Sequence, residues 1–268
     1  MKKKISGNIS KMKTEPEEPV HYHLPAGNQI VDMQKIIGNE LSINYLNQIN
    51  CISCGRKTQK SYFQGYCFPC FRTLPQTDED VLHPERCRAH LGIARDMEWA
   101  EKHCLIDHYV YLAITGGIKV GVTRHTQVPV RWIDQGAETI IKLCKTPDRY
   151  TAGMIEVALK KHIPDKTNWR KMLSARQNEY DLRREKQKAL SYLPDKYKIY
   201  QSADDEIFHF SYPVEKYPVK PTAVKLETTP HIQGVLSGIK GQYLIFENGN
   251  VFNIRKHNGY LVEITCNQ

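Results

Sequence analysis

The chain has 268 residues, 40% hydrophobic and 25% charged, with 16 Gly and 14 Pro. That length allows one to three folding units, and the composition excludes a disordered or fibrous chain. Lys and Arg outnumber Asp and Glu by 38 to 29, a net charge of +9. The excess is concentrated: residues 160–198 hold 12 Lys/Arg against 5 Asp/Glu, a field suited to a polyanion such as nucleic acid or, equally, to a solvated helix face.

In chain order, residues 1–50 read as an N-terminal β region of short strands, with a turn at Pro25-Ala26-Gly27-Asn28. No apolar run nears the roughly 18 residues of a membrane-spanning helix. The basic start Met1-Lys2-Lys3-Lys4 leads into no apolar leader segment, so a cytoplasmic protein without a membrane partner is expected. Residues 51–75 form a cysteine module. Cys51-Ile52-Ser53-Cys54 and Cys67-Phe68-Pro69-Cys70 are two C-x-x-C knuckles twelve residues apart. Four thiolates in this pattern look like a zinc ribbon and can surround one Zn²⁺ at about 2.3 Å, leaving no open position, so the zinc is structural. Gly55 supplies the left-handed freedom that a knuckle turn requires.

Residues 76–107 read as a polar connecting segment with a helix near 94–103. Around it Cys87, His90, Cys104 and His108 are candidate ligands of a second zinc, although their spacing fits no standard template; two core cysteines with surface histidines are the alternative. Residues 108–173 then read β-β-α-β-α. In 109–114 and 118–123 every second residue is aliphatic: Val110, Leu112, Ile114, Ile118, Val120 and Val122. Each strand therefore has one core face. A three-residue Thr115–Gly117 loop puts Ile114 opposite Ile118 and Leu112 opposite Val120, with Gly117 in the left-handed bulge position. The other face carries Tyr109, Tyr111, Ala113, Lys119, Gly121 and Thr123, and Gly121 would admit a ligand backbone. A short helix at 129–136, a strand at 139–143 and a helix from Asp148 or Thr151 to Ile163 follow, the last placing Gly153, Glu156 and Lys160 on one face.

Residues 109–163 resemble a GIY-YIG nuclease domain. Tyr109-Val110-Tyr111 is similar to its first element and Lys119-Val120-Gly121 to its second. Arg131, followed by Trp132, stands in the place of the family arginine, and Glu156 in that of the metal-binding glutamate. The resemblance implies that Tyr111 is a general base or phosphate-site tyrosine, that Arg131 stabilises the phosphate, and that Glu156 holds Mg²⁺ or Mn²⁺. Tyr109 and Lys119 replace a glycine and a tyrosine of the pattern, and Gln135 sits where some members use histidine. Over 51–173 the chain also resembles a bacterial family that joins a cysteine-knuckle module to this segment.

Residues 174–200 read as a basic helix ended by Pro194, and 201–268 as a C-terminal β-meander with strands at 243–246, 251–255 and 261–265. Asn248-Gly249 and Asn258-Gly259 are hairpin signals between them. The expected fold is α+β: a zinc ribbon and a small GIY-YIG-like domain, flanked by terminal β segments that close into one barrel-like unit. The expected function is metal-dependent hydrolysis of DNA or RNA by Tyr111, Arg131 and Glu156 with Tyr109 and Lys119. Gly121, Arg124, Asn168, Trp169, Arg170 and Lys171 are the expected nucleic-acid contacts. A non-catalytic zinc-ribbon nucleic-acid binder and a protein-interaction scaffold are the alternatives.

Overall fold

The computed structural model describes residues 2–174 and 180–267, and the chain divides into two units, each with its own core. The first is built from the chain up to Arg72, from Leu173 and Ser174, and from Phe210 onward, the second from Thr73–Met172 and from Tyr180 to His209.

The first unit opens with β1 (Lys2–Asn8), β2 (Lys13–Glu15), β3 (His21–Ala26), β4 (Gln29–Asp32), β5 (Glu40–Asn50), β6 (Lys57–Thr58) and helix α1 (Phe68–Thr73). β3 alternates half-buried and buried residues, the period of a strand with one face on a core. In the second unit come α2 (Met97–His103), β7 (His108–Ile114), β8 (Ile118–Arg124), α3 (Val130–Asp134), β9 (Thr139–Thr146), α4 (Arg149–Leu159), α5 (Trp169–Met172), α6 (Leu182–Ser191) and β10 (Ile207–His209). The chain then returns to the first unit with β11 (Thr222–Val224), β12 (His231–Lys240), β13 (Tyr243–Phe246), β14 (Asn250–Asn253) and β15 (Tyr260–Asn267).

The terminal regions do pair. β1 and β15 are antiparallel, with Ile5 opposite Ile264, within a sheet ordered β1-β15-β5-β12-β13-β14-β11, with β6 beside β5. The order is an open path, so the expected barrel does not close. β12 pairs through 231–235 with β5 and through 236–240 with β13, and the register shifts between Leu236 and Gly238. One long strand thus serves two halves of the sheet. The expected meander holds only from β12 to β14. Asn248-Gly249 turns β13 into β14. After β14, however, a 3₁₀ turn (Ile254–His257) redirects the chain, and β15 pairs with β5 and β1 instead. Asn258-Gly259 is therefore not a hairpin; Asn50 donates its N–H to the Gly259 carbonyl at 2.8 Å.

The second unit is built on the sheet β10-β9-β7-β8. The hairpin register is the expected one, Ile114 opposite Ile118 and Leu112 opposite Val120. The left-handed loop residue is Gly116 (φ 74°), not Gly117. The Lys171–Met172 backbone lies where a Gly116 side chain would stand, so α5 dictates which glycine turns. Val110, Leu112, Val120, Ile141 and Leu143 form a core with Ala152, Ile155 and Leu159 of α4 and Leu182, Ala189 and Leu190 of α6. Asp148 caps α4, accepting from the Thr151 N–H at 2.7 Å, which offsets an orphan donor of the first turn.

The expected basic helix is α6; residues 175–179 of that expectation lie outside the described residues. Lys186, on α6, is not solvated: its side chain is 2% exposed and its ammonium donates to the carbonyls of Ser202 and Asp204 and pairs with Asp205. Among the described residues no helix is long and apolar enough to cross a membrane.

Candidate functional site

The four knuckle cysteines come together. β5 runs out at Asn50, so Cys51 starts the first knuckle, and Gly55 (φ 73°) returns its N–H to the Cys51 carbonyl at 2.9 Å. Cys67 stands at the start of α1 and its carbonyl accepts from Phe71. The sulfurs of Cys51, Cys54, Cys67 and Cys70 all lie within 4.8 Å of one another, and Cys54 and Cys67 are 3.7 Å apart. Four sulfurs at about 2.3 Å from one tetrahedral ion would stand about 3.8 Å apart, so the cluster has the dimensions of a metal cage. Burial works against ionisation of the Cys51 thiol, yet backbone N–H groups of Cys54, Cys67 and Ser53 bring it down to about 6. Burial and the neighbouring sulfurs push Cys70 up to about 12. These four cysteines could hold a metal such as zinc.

The polar face of the hairpin forms a second cluster. Tyr111 is fully buried opposite Gly121. Gln135, at the C-terminus of α3, joins two strand residues: its Nε2 donates to the Tyr111 hydroxyl at 2.9 Å, and its Oε1 accepts from Lys119 Nζ at 2.5 Å. Trp132 packs edge-on to Tyr111, with ring centres 5.8 Å apart. Pro164 accepts the Val120 N–H at 2.8 Å, docking the segment after α4 on the free edge of β8. Asp165 is thereby brought within electrostatic range of Lys119 and Glu156.

The charges of this cluster act on one another. Burial, then Arg131, pulls Lys119 down to about 8. Burial, then Asp165, pushes Glu156 up to about 7, against the pull of Lys119 and Lys160. Burial holds the Tyr111 phenol above its usual range, with Arg131 and Gln135 opposing and Glu156 adding to it. Tyr111, Lys119, Arg131 and Glu156 therefore share one electrostatic neighbourhood, and Gln135 belongs to it by hydrogen bonding. Such concentrations of shifted groups are common at functional sites, though structural networks make them too.

Other expected contacts have other surroundings. A Cβ at Gly121 would stand 2.7 Å from the Tyr111 hydroxyl, so the room above this glycine is filled by the protein's own phenol and not left for a ligand. Tyr109 takes the Lys142 ammonium 5.3 Å from its ring centre. Arg124 donates to Thr126 and lies in the field of Arg149 and Cys104, away from the hairpin cluster. Asn168 accepts from the Lys171 N–H, starting α5. The Arg170 guanidinium sits 4.4 Å from the Trp169 ring centre, while Arg170 and Lys171 are exposed.

Of the four residues expected at a second metal, only Cys87 and Cys104 come together, and Asp80 joins them, all three donor atoms lying within 4.8 Å. His90 stacks on Tyr150 with ring centres 4.3 Å apart. His108 is buried, its Nδ1 donating to the Ile106 carbonyl at 2.7 Å, and burial takes it down to about 4. Asp80 and its partner Arg149 were not foreseeable from spacing, because Asp80 sits in a 3₁₀ turn (Glu79–Val81) that no periodicity announces.

Fold and site together define an α+β protein that pairs a four-cysteine module with a hairpin bearing a buried, mutually perturbed polar cluster. Residues 38–262 match the family described as "Protein of unknown function (DUF2797)", and the chain belongs to that family. The match spans the cysteine module and the hairpin cluster, and it leaves β1–β4 outside. No curated protein and no solved structure matches the chain.

Proposed function

We propose that the chain is a metal-dependent phosphodiesterase of the GIY-YIG type acting on DNA or RNA, stapled by a structural zinc at Cys51, Cys54, Cys67 and Cys70. The observation that carries this reading is the shared field of Tyr111, Lys119, Arg131 and Glu156. Phosphodiester hydrolysis needs a base for water, a donor for the phosphate and a cation to offset developing charge. Arg131 is the donor, its planar fork suiting two phosphate oxygens at once. Glu156 is the carboxylate for Mg²⁺ or Mn²⁺, which when bound supplies Lewis-acid stabilisation. Tyr111 is sealed and kept protonated, so its part is to hold Gln135. The base role passes to Lys119, whose depressed pKa of about 8 leaves a neutral fraction near neutral pH. Trp169, Arg170 and Lys171 are the groups that stack on a base or track the backbone.

Labelled single- and double-stranded DNA and RNA, incubated with Mg²⁺ or Mn²⁺, test it. Cation-dependent cleavage should fall at least roughly 100-fold in Glu156→Gln and in Arg131→Ala. The complete burial of the Tyr111 phenol favours one second reading, a nucleic-acid binder that does not cleave. Its signature is retention of the labelled strand without products, weakening steeply between about 50 and 200 mM salt.

A further inference from the structure

Asp80, Cys87 and Cys104 come from three separate elements. Asp80 lies in the 3₁₀ turn Glu79–Val81, Cys87 follows the turn Pro84–Arg86, and Cys104 caps the C-terminus of α2. Both cysteines are buried, and the Asp80 side chain is 15% exposed. The carboxylate is already oriented: its Oδ1 accepts from Arg149 Nη1 at 3.1 Å, which leaves Oδ2 directed at Cys104 Sγ, 3.9 Å away. Arg149 is in turn fixed by donating Nη2 to the His103 carbonyl at 3.2 Å. A ligand carboxylate with one oxygen tied back by a neighbouring group is the outer-shell arrangement typical of metal sites.

Charge balance points the same way. Two thiolates and a carboxylate around a divalent ion carry a net charge of −1, and the buried Arg149 guanidinium supplies the compensating +1. Asp80, Cys87 and Cys104 are also among the residues lining a cavity of about 720 Å³, together with Arg88, His90, Trp99 and Tyr150. Closed structural zinc sites take four protein ligands, whereas three protein ligands beside an open space leave a position for water or an exogenous ligand.

We propose that Asp80, Cys87 and Cys104 hold a second divalent ion of the zinc class, independent of the four-cysteine cage and open on its fourth side to this cavity. Soft thiolates beside one carboxylate select zinc or cobalt over magnesium.

The test uses the full chain, purified under reducing conditions and reconstituted with Zn²⁺ or Co²⁺. Elemental analysis should give two ions per chain. One should remain in Cys54→Ser/Cys70→Ser, held at the second site, and one in Asp80→Ala/Cys87→Ser, held in the cage. Because Cys87 is buried and its replacement can unfold the region, the near-isosteric Asp80→Asn is the companion variant. It should weaken the second ion at least roughly tenfold while near-ultraviolet circular dichroism of the chain stays unchanged. In the Co²⁺ form of Cys54→Ser/Cys70→Ser, thiolate-to-cobalt absorption should be present and the visible bands should shift on adding azide, the mark of an open position. One ion per chain under zinc excess, visible bands indifferent to azide, or recovery of Cys87 and Cys104 as a disulfide from freshly alkylated protein would each overturn the proposal. None of these readouts depends on nuclease activity.

Discussion

Glu156 is the residue whose surroundings make the sharpest demand. Its carboxyl is raised from 4.5 to about 7, chiefly by burial and then by Asp165. In the folded chain it therefore keeps its proton where the unfolded chain has lost it. The sign follows from linkage: the folded state binds the extra proton between about pH 4.5 and 7, so stability is greatest below that window and falls as pH rises through it. Lys119 does not blur the effect. Its pKa falls from 10.5 to about 8, so it is charged in both states below that range. Denaturant melts of the metal-free chain and of Glu156→Gln at pH 5 and pH 7.5 should differ: from the lower pH to the higher, the parent should lose roughly 1–3 kcal/mol relative to the variant. An identical pH dependence in the parent and in Glu156→Gln would mean that the carboxyl is solvated and the cluster is not coupled. His108 works in the opposite direction: depressed from 6.5 to about 4 by burial, its contribution is intact above pH 6.5 and is lost as pH falls toward 4. That window overlaps the measured one, so the pH effect is read only as the difference between the parent and the Glu156 variant, in which His108 cancels.

At the scale of elements, α6 shows how a charge pattern misleads. Its sequence, LRREKQKALS, reads as a basic solvated helix. Yet Lys186 shares its buried face with Leu182, Ala189 and Leu190, and its ammonium ties down the segment 202–205. Spacings of four from Leu182 and four to Leu190 put Lys186, and not Lys188, which is 60% exposed, on the apolar face; what no local pattern shows is that two carbonyls arrive from 16 and 18 residues downstream to receive its ammonium. Lys186→Met keeps the stem and removes the donors, leaving both carbonyls to find water. The expected cost is roughly 2–3 kcal/mol in an equilibrium melt, whereas Lys188→Met should fall within about 0.5 kcal/mol of the parent. Equal costs would show that the carbonyls are hydrated and the lysine is dispensable. The β7–β8 hairpin is the opposite case. Its register was legible because alternation and loop length fix it together, and the sequence carried both. Which glycine turns the loop was not legible, because that is decided by α5 packing against the hairpin tip.

For the whole molecule, the order of strands in space is not their order in the chain. β15 lies between β1 and β5, and its register with β5, from Tyr260 opposite Ile49 to Cys266 opposite Leu41, supports the strand that runs directly into Cys51. The sequence marked 261–265 as a strand and 1–50 as a region of short strands, without delimiting β1 or β5. It could not announce the partners, because β1 and β15 pair from opposite ends of the chain, a separation that no local pattern encodes. Likewise the knuckle spacing revealed the four-cysteine cage, and the sequence grouped Cys87 with Cys104, while Asp80 was brought to them by packing alone. The consequence is testable by truncation. Ending the chain before Tyr260 removes the strand that links β1 to β5, so the four-cysteine cage should lose its ion and unfold with the first unit. Trp99, Trp132 and Trp169 all belong to the second unit, so tryptophan fluorescence reports on that unit alone. The truncated chain should keep the fluorescence maximum of the parent while its cage binds no metal, because the second unit draws its stability from its own core of Val110, Leu112, Val120 and Ile155 with α6. A red shift of the tryptophan emission on truncation would show instead that the two cores fold as one.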